Sequence, residues 1–194
     1  MTRRPDRFAL ATLVGSTRNE RCAPTVAAWF VGHARARSDF DLDVIDLAAS
    51  DLPAVLSTRS DRPEPVRALS ERLAVADAFV VVTPEYNHSY PASLKKAVDW
   101  FREEWYTKPV GFVSYGGAAG GLRAVEHLRN VFAELHALTV RNTVSLHNFW
   151  DQFDRSGNLV SSTGSERAAD RMLDQLAWWA RASRSARGAR RYPA

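Results

Sequence analysis

The chain has 194 residues, 45% of them hydrophobic, which is enough to fill the core of one ordinary domain. Charged residues at 25%, aromatics at 10%, and 10 glycines with 9 prolines exclude the disordered and fibrous classes. The formal net charge of +4 invites a nucleic-acid reading, but removing Arg181, Arg184, Arg187, Arg190 and Arg191 takes it to −1. The body is therefore nearly neutral, and residues 181–194 read as a frayed, flexible, solvated tail without the interleaved aromatics of a nucleic-acid arm.

The amino terminus places arginines before the apolar run Phe8 to Val14, which is too short for a membrane span and leads straight into Gly15 and Ser16. It reads as a first strand, and the chain as a soluble cytoplasmic protein. Four more segments have strand character: Leu42 to Leu47, Ala78 to Thr83, Val110 to Tyr115, and a weaker run from Leu138 to Leu146. Their near-continuous apolar residues predict burial on both faces.

Helical spacing separates the strands. Val26, Trp29, Phe30 and Ala34 follow Pro24, a residue suited to a first helical turn; Leu94, Ala97, Val98 and Phe101 follow Pro91. Leu122, Val125, Leu128, Phe132 and Leu135 form a longer stripe, and Thr163-Gly-Ser-Glu166 resembles a capping box before Ala169, Met172, Leu173, Leu176 and Trp179. Alternating β and α elements with right-handed crossovers predict a doubly wound α/β domain over residues 1–180, with Ser50 to Pro65 as a long, mobile connection.

In such a sheet ligands collect beyond the carboxyl ends of the strands, where three unusual loops leave. The first, Gly15 to Pro24, offers a tight turn, the hydroxyls of Ser16 and Thr17, the charges of Arg18 and Arg21, and a helix amino terminus. It suits an anion, although a polar connector with solvated arginines reads equally well. Gly-x-Gly-x-x-Gly and Gly-Lys-Ser/Thr are both absent, which excludes a dinucleotide fingerprint and a P-loop here. The second loop, Thr83 to Pro91, packs Glu85, Tyr86, Asn87, His88 and Ser89 together, a set able to edge a planar polar ring. The third, Ser114 to Gly121, has four glycines that open the backbone to a ligand or simply allow tight packing.

Gly15-Ser-Thr-Arg18, Pro84-Glu-Tyr-Asn87 with Pro91-Ala-Ser-Leu-Lys-Lys-Ala-Val-Asp-Trp100, and Ser114-Tyr-Gly-Gly117 resemble the NADPH-dependent FMN reductase family over residues 8–180. The resemblance implies a flavodoxin-like three-layer sandwich with a five-stranded parallel sheet in the order 2-1-3-4-5. It implies FMN as cofactor, NADPH or NADH as electron donor, a quinone, flavin or similar small molecule as acceptor, and a homodimer or homotetramer. A flavin-dependent oxygenase is a further implied partner if reduced FMN is released.

Carried over by position, Ser16 and Arg18 meet the FMN phosphate, and the backbone of Arg21, Ala23 and Pro24 completes the cradle. Pro84, Glu85, Tyr86 and Asn87 line the ribityl chain and ring. Ser114, Tyr115, Gly116 and Gly117 border the pyrimidine end. Arg21 and Ala23 stand where many relatives have Ser and Asn, and Arg21 can replace a hydroxyl by charge. Because the flavin performs the hydride transfer, no catalytic side chain is required. A flavodoxin-type electron carrier and a flavin-free binding protein are the rival readings.

Other features read as structural. Cys22 is the single cysteine and excludes an intrachain disulfide; His33, His127, His136 and His147 have no metal-binding spacing. His88 lies inside the second loop, and Lys95 can pair with Asp99 along a helix. Trp100, Phe101, Trp105 and Tyr106 suggest a subunit interface or core, with interface favoured, and Trp178 and Trp179 suggest anchors of the last helix.

Overall fold

The computed structural model describes residues 7–160 and 163–193. The chain alternates β1 (Phe8–Val14), α1 (Ala23–Arg35), β2 (Phe40–Asp46), α2 (Glu64–Val75), β3 (Ala78–Pro84), α3 (Ala92–Asp99), β4 (Pro109–Tyr115) and α4 (Leu122–Glu134). Two short strands, β5 (Leu138–Thr139) and β6 (Val144–Leu146), precede the long α5 (Thr163–Ala189). The strands run parallel in the order β2-β1-β3-β4-β5, with β6 also paired to β4. This is the flavodoxin-like order, with helices on both faces.

Side chains alternate across each central strand, so both faces are apolar. Phe8, Leu10 and Val14 of β1 and Val80 and Val82 of β3 pack with α1 and α5, while Leu13, Phe79 and Val81 pack with α2, α3 and α4. β1, β3 and β4 are buried along their whole lengths, as their unbroken apolar runs require.

Several expectations need correction. The run Leu138 to Leu146 is two strands, because residues between them bond elsewhere: Arg129 donates to the Val140 and Arg141 carbonyls at 2.8 and 3.1 Å, and the Gln175 side chain accepts from Asn142 N–H at 3.0 Å. The expected tail is helical as far as Ala189. Arg184 reaches across the sheet edge to the Arg7 carbonyl at 2.7 Å and Asp77 at 2.5 Å, with its guanidinium 4.3 Å from the Phe8 ring centre. An arginine with a buried carboxylate and an aromatic face to cover does not behave as a solvated charge.

Thr163 is the first helical residue rather than the cap of a capping box, and the residue before it lies outside the described residues. Trp100, Phe101 and Trp105 belong to the core instead of an interface: Trp105 is fully buried, edge-on to Phe79 at 4.6 Å and Phe132 at 5.4 Å. Trp178 and Trp179 are exposed, so Met172, Leu173 and Leu176 anchor α5 instead. The connection from Ser50 is fastened by Lys96, which donates to the Leu52 carbonyl at 2.8 Å, and by the Trp100 indole on the Pro53 carbonyl at 3.3 Å.

Candidate functional site at the carboxyl rim of the sheet

β1 and β3 are neighbours whose following connections lead to opposite sides of the sheet, so the switch point lies above their carboxyl ends. The first and second loops leave there and are bonded to one another. Gly15 N–H donates to the Val82 carbonyl at 2.9 Å, and the Ser93 hydroxyl to the Gly15 carbonyl at 2.8 Å. A Cβ on Gly15 would stand 3.2 Å from the Val82 oxygen and 3.3 Å from Leu94 Cδ2, tighter than ordinary contact.

Ser16 is fully buried, and its hydroxyl lies 2.7 Å from that of Tyr86. Thr17 and Arg18 are exposed, and the Arg18 guanidinium covers the Tyr86 ring at 3.8 Å from its centre. Arg21 is engaged within the protein: it donates to the Ser16 carbonyl at 2.7 Å and to Asp46, at the end of β2, at 2.6 Å. Its charge therefore braces the loop. Ala23 and Pro24 open α1, whose cap residue Cys22 makes no side-chain cap bond, and the first turn contains no acid. The exposed Cys22 is a free thiol at this position.

The second loop is a two-residue hairpin turn. Tyr86 and Ser89 exchange backbone bonds at 2.8 and 3.0 Å, and Asn87 (φ 51°) and His88 (φ 68°) both occupy the left-handed region between them. Both tip residues are exposed. Pro84 closes β3 and is buried. The Glu85 carboxylate is clamped to the start of α4, accepting from Arg123 N–H at 3.2 Å and from its guanidinium at 2.7 Å. Ser89 meets His127 Nδ1 at 2.9 Å.

At the third loop, Ser114 is buried and donates to the Gly120 carbonyl at 2.8 Å. Tyr115 is buried against Phe149 at 5.1 Å. Burial pushes its phenol well up, Tyr86 and Cys22 add to this, and a Ser16 hydrogen bond and the Arg21 charge oppose it. The Gly116 and Gly117 carbonyls accept from Phe149 and Asn148 N–H at 3.2 and 3.0 Å. The two halves of the loop differ. Gly121 (φ 84°) has room for no side chain, since a Cβ would fall 2.6 Å from Ser114 Cβ and 2.9 Å from Tyr115 N. Packing thus explains Gly121, and Gly116 is close to it, an added Cβ standing 3.2 Å from Gly121 N, while Gly117 lies beside Trp150.

The structure therefore brings Ser16, Arg18, Arg21, Tyr86 and Tyr115 into one cluster, with Ala23 and Pro24 on one flank and Glu85, Gly116 and Gly117 on the other. Asn87 stands at the turn tip and Ser114 beneath the third loop. Phe149 and Trp150, absent from the residues expected at the site, follow β6 and pack on this rim, Trp150 59% exposed. Their signal was an aromatic pair just beyond a strand end. Arg123 and His127 were hidden by their partners' distance in sequence. Among the described residues, no group of three or more His, Cys, Asp or Glu is placed to hold a metal.

The family model described as NADPH-dependent FMN reductase matches residues 9–151. A 2-hydroxy-1,4-benzoquinone reductase of Burkholderia sp is 33% identical over 183 residues, 89% of this chain and 96% of that protein. An NAD(P)H-dependent FMN reductase of Schizosaccharomyces pombe is 38% identical over 121 residues, 58% of this chain and 60% of that relative's length. In fold, the chain resembles the flavoenzyme NAD(P)H:(acceptor) oxidoreductase FerB from Paracoccus denitrificans, with a TM-score of 0.72 at 23% identity over 91% of this chain and 98% of that one. On the family match across most of its length, this chain belongs to the NADPH-dependent FMN reductase family.

Proposed function

We propose that this chain oxidises NADPH or NADH and passes the electrons through FMN, held between its three rim loops, to a quinone or flavin. The observation that carries the reading is the convergence of Ser16 and Arg18 on Tyr86 at the switch point, in the loop that leads into the uncapped, acid-free start of α1.

The residues fit the cofactor by the chemistry of their donors. A phosphate monoester needs N–H groups, a hydroxyl and a cation; α1, Ser16 and Arg18 supply them without a competing acid in the first turn. The Arg21 bridge to Ser16 and Asp46 keeps that loop in shape. Pro84 to Asn87 form the wall for the ribityl chain and ring, Tyr86 supplying an aromatic face. Ser114, Tyr115, Gly116 and Gly117 border the pyrimidine end. When bound, FMN supplies the two-electron chemistry between nicotinamide and acceptor. The protein's share is to orient the reactants and exclude water, which requires no acid–base side chain of its own.

The same reading assigns a homodimer or homotetramer, a cytoplasmic location, and a flavin-dependent oxygenase as partner where reduced FMN is released. No helix among the described residues is long and apolar enough to cross a membrane.

Purified protein with FMN, either nicotinamide and a benzoquinone is expected to turn over. Binding of FMN without nicotinamide oxidation would instead identify a flavodoxin-type carrier.

A further inference from the structure

The amino-terminal rim of the sheet, opposite the three loops, carries a second concavity that the flavin chemistry does not use. It is a cavity of about 430 Å³ bordered by Lys108, just ahead of β4, by Arg187, Arg190 and Arg191 at the end of α5, and by Tyr106 and Tyr192. A neighbouring hollow of about 450 Å³ shares the three arginines and Tyr192.

The charges in this cavity are unevenly matched. The acids on its wall are already taken: Glu103 pairs with Arg59 at 2.5 Å, and Glu104 with Arg62 at 2.8 Å and the Ser70 hydroxyl at 2.5 Å. The cations are less satisfied. Lys108 is 6% exposed and donates only to backbone, the Leu73 and Ala74 carbonyls at 2.8 and 2.9 Å. Burial and the nearby Arg187 push its ammonium down to about 8 against the pull of Asp77 and Glu104. Arg187 has only long contacts, 3.4 Å to the Thr107 carbonyl and hydroxyl and 3.5 Å to Asp77, a carboxylate that Arg184 already holds at 2.5 Å. The Arg190 and Arg191 side chains make no hydrogen bond or ion pair among the described residues.

The wall that presents them is fixed. Tyr192 lies edge-on to His136 at 5.7 Å with its hydroxyl 3.1 Å from Nδ1, and His136 stacks on Tyr106 at 4.8 Å. This clasp ties down the chain beyond Ala189 and with it the two unpaired arginines.

We propose that this cavity binds a short oligophosphate, free or as the phosphate chain of a nucleotide. Guanidinium forks match phosphate oxygens two at a time, and an ammonium adds a point charge. Besides Arg59, which Glu103 holds, three arginines and a lysine border the cavity; they favour several linked anionic groups over a single carboxylate, and the volume lies in the range of small-molecule sites. Occupation would give Arg190 and Arg191 anionic partners and add to the weak pairing of Arg187 with Asp77.

The test is calorimetric titration of the full-length protein at low salt with tripolyphosphate, ATP and AMP. Saturable binding of tripolyphosphate is expected, lost with rising salt. The double variant Arg190→Gln/Arg191→Gln should bind it at least about tenfold more weakly while keeping the parent melting temperature and nicotinamide turnover. ATP binding as tightly as tripolyphosphate, with AMP far weaker, supports the phosphate chain as the recognised element; tripolyphosphate binding well above ATP identifies the free chain as ligand. Absence of saturable tripolyphosphate binding, undiminished binding in the double variant, or displacement of tripolyphosphate by FMN would overturn the proposal. So would tight binding of a single-stranded oligonucleotide by a protein that ignores tripolyphosphate.

Discussion

The hydroxyl of Tyr86 lies 2.7 Å from that of Ser16, across 70 positions of sequence, and the Arg18 guanidinium covers the other side of the contact at 3.8 Å from the Tyr86 ring centre. One aromatic side chain thus engages both of the groups proposed to meet the FMN phosphate. At the proposed site, loading the cofactor would exchange these internal contacts for phosphate contacts.

Arg18→Ala should weaken FMN binding by about 2 kcal/mol, roughly thirtyfold, through the loss of one charge-assisted phosphate contact. Quenching of flavin fluorescence on titration measures it. An unchanged dissociation constant would place the phosphate elsewhere.

Tyr86→Phe keeps the ring but removes the hydroxyl from Ser16. The free protein then has one contact fewer to break, so FMN should bind up to about fivefold more tightly, the worth of a typical neutral hydrogen bond. Weaker binding would mean that the Tyr86 hydroxyl contacts the flavin itself.

Much of this was legible in the sequence because it rests on local chemistry. The strands Phe8 to Val14 and Ala78 to Pro84 announce themselves by unbroken apolar runs, and the Tyr86–Ser89 turn by Asn87, a residue that tolerates positive φ. What escaped depends on partners far along the chain. Arg21 reads as a free loop cation until Asp46 is seen 2.6 Å away. Arg184 reads as a solvated tail charge until Asp77 and Phe8 are folded against it. The break between β5 and β6 follows from Arg129 and Gln175, which no period-2 pattern in residues 138–146 reveals.

The two kinds of glycine separate cleanly in stability. Gly121→Ala forces a Cβ to 2.6 Å from Ser114 Cβ at a φ of 84°, and should cost about 2 kcal/mol or more. Gly32, exposed within α1 with nothing within 4 Å of an added Cβ, is the contrast: Gly32→Ala should gain roughly 0.5–1 kcal/mol. Denaturant melts of both variants check the signs, and equal effects would contradict the packing described for the third loop.

Burial pushes the Glu104 carboxyl up, but hydrogen bonds from Ser70, from its own N–H, from Arg62 and from Arg102 N–H outweigh it and leave the group below its ordinary range. A carboxyl lowered in the folded state contributes stability that is complete above its unfolded value and is lost as pH falls through the folded one. The chain should therefore lose stability more steeply between about pH 5 and pH 3 than Glu104→Gln does, whatever the variant's stability at neutral pH. Parallel pH profiles of the denaturation midpoint would contradict this.

The central claim is that one rim, made of three loops, holds FMN. A crystal structure of the protein with FMN tests it most directly. The phosphate is expected against Ser16, Arg18 and the start of α1, the ring between Pro84–Asn87 and Ser114–Gly117, and the Tyr86 hydroxyl withdrawn from Ser16. FMN bound with its phosphate away from α1, or bound while the Ser16–Tyr86 contact stays at 2.7 Å, would contradict it.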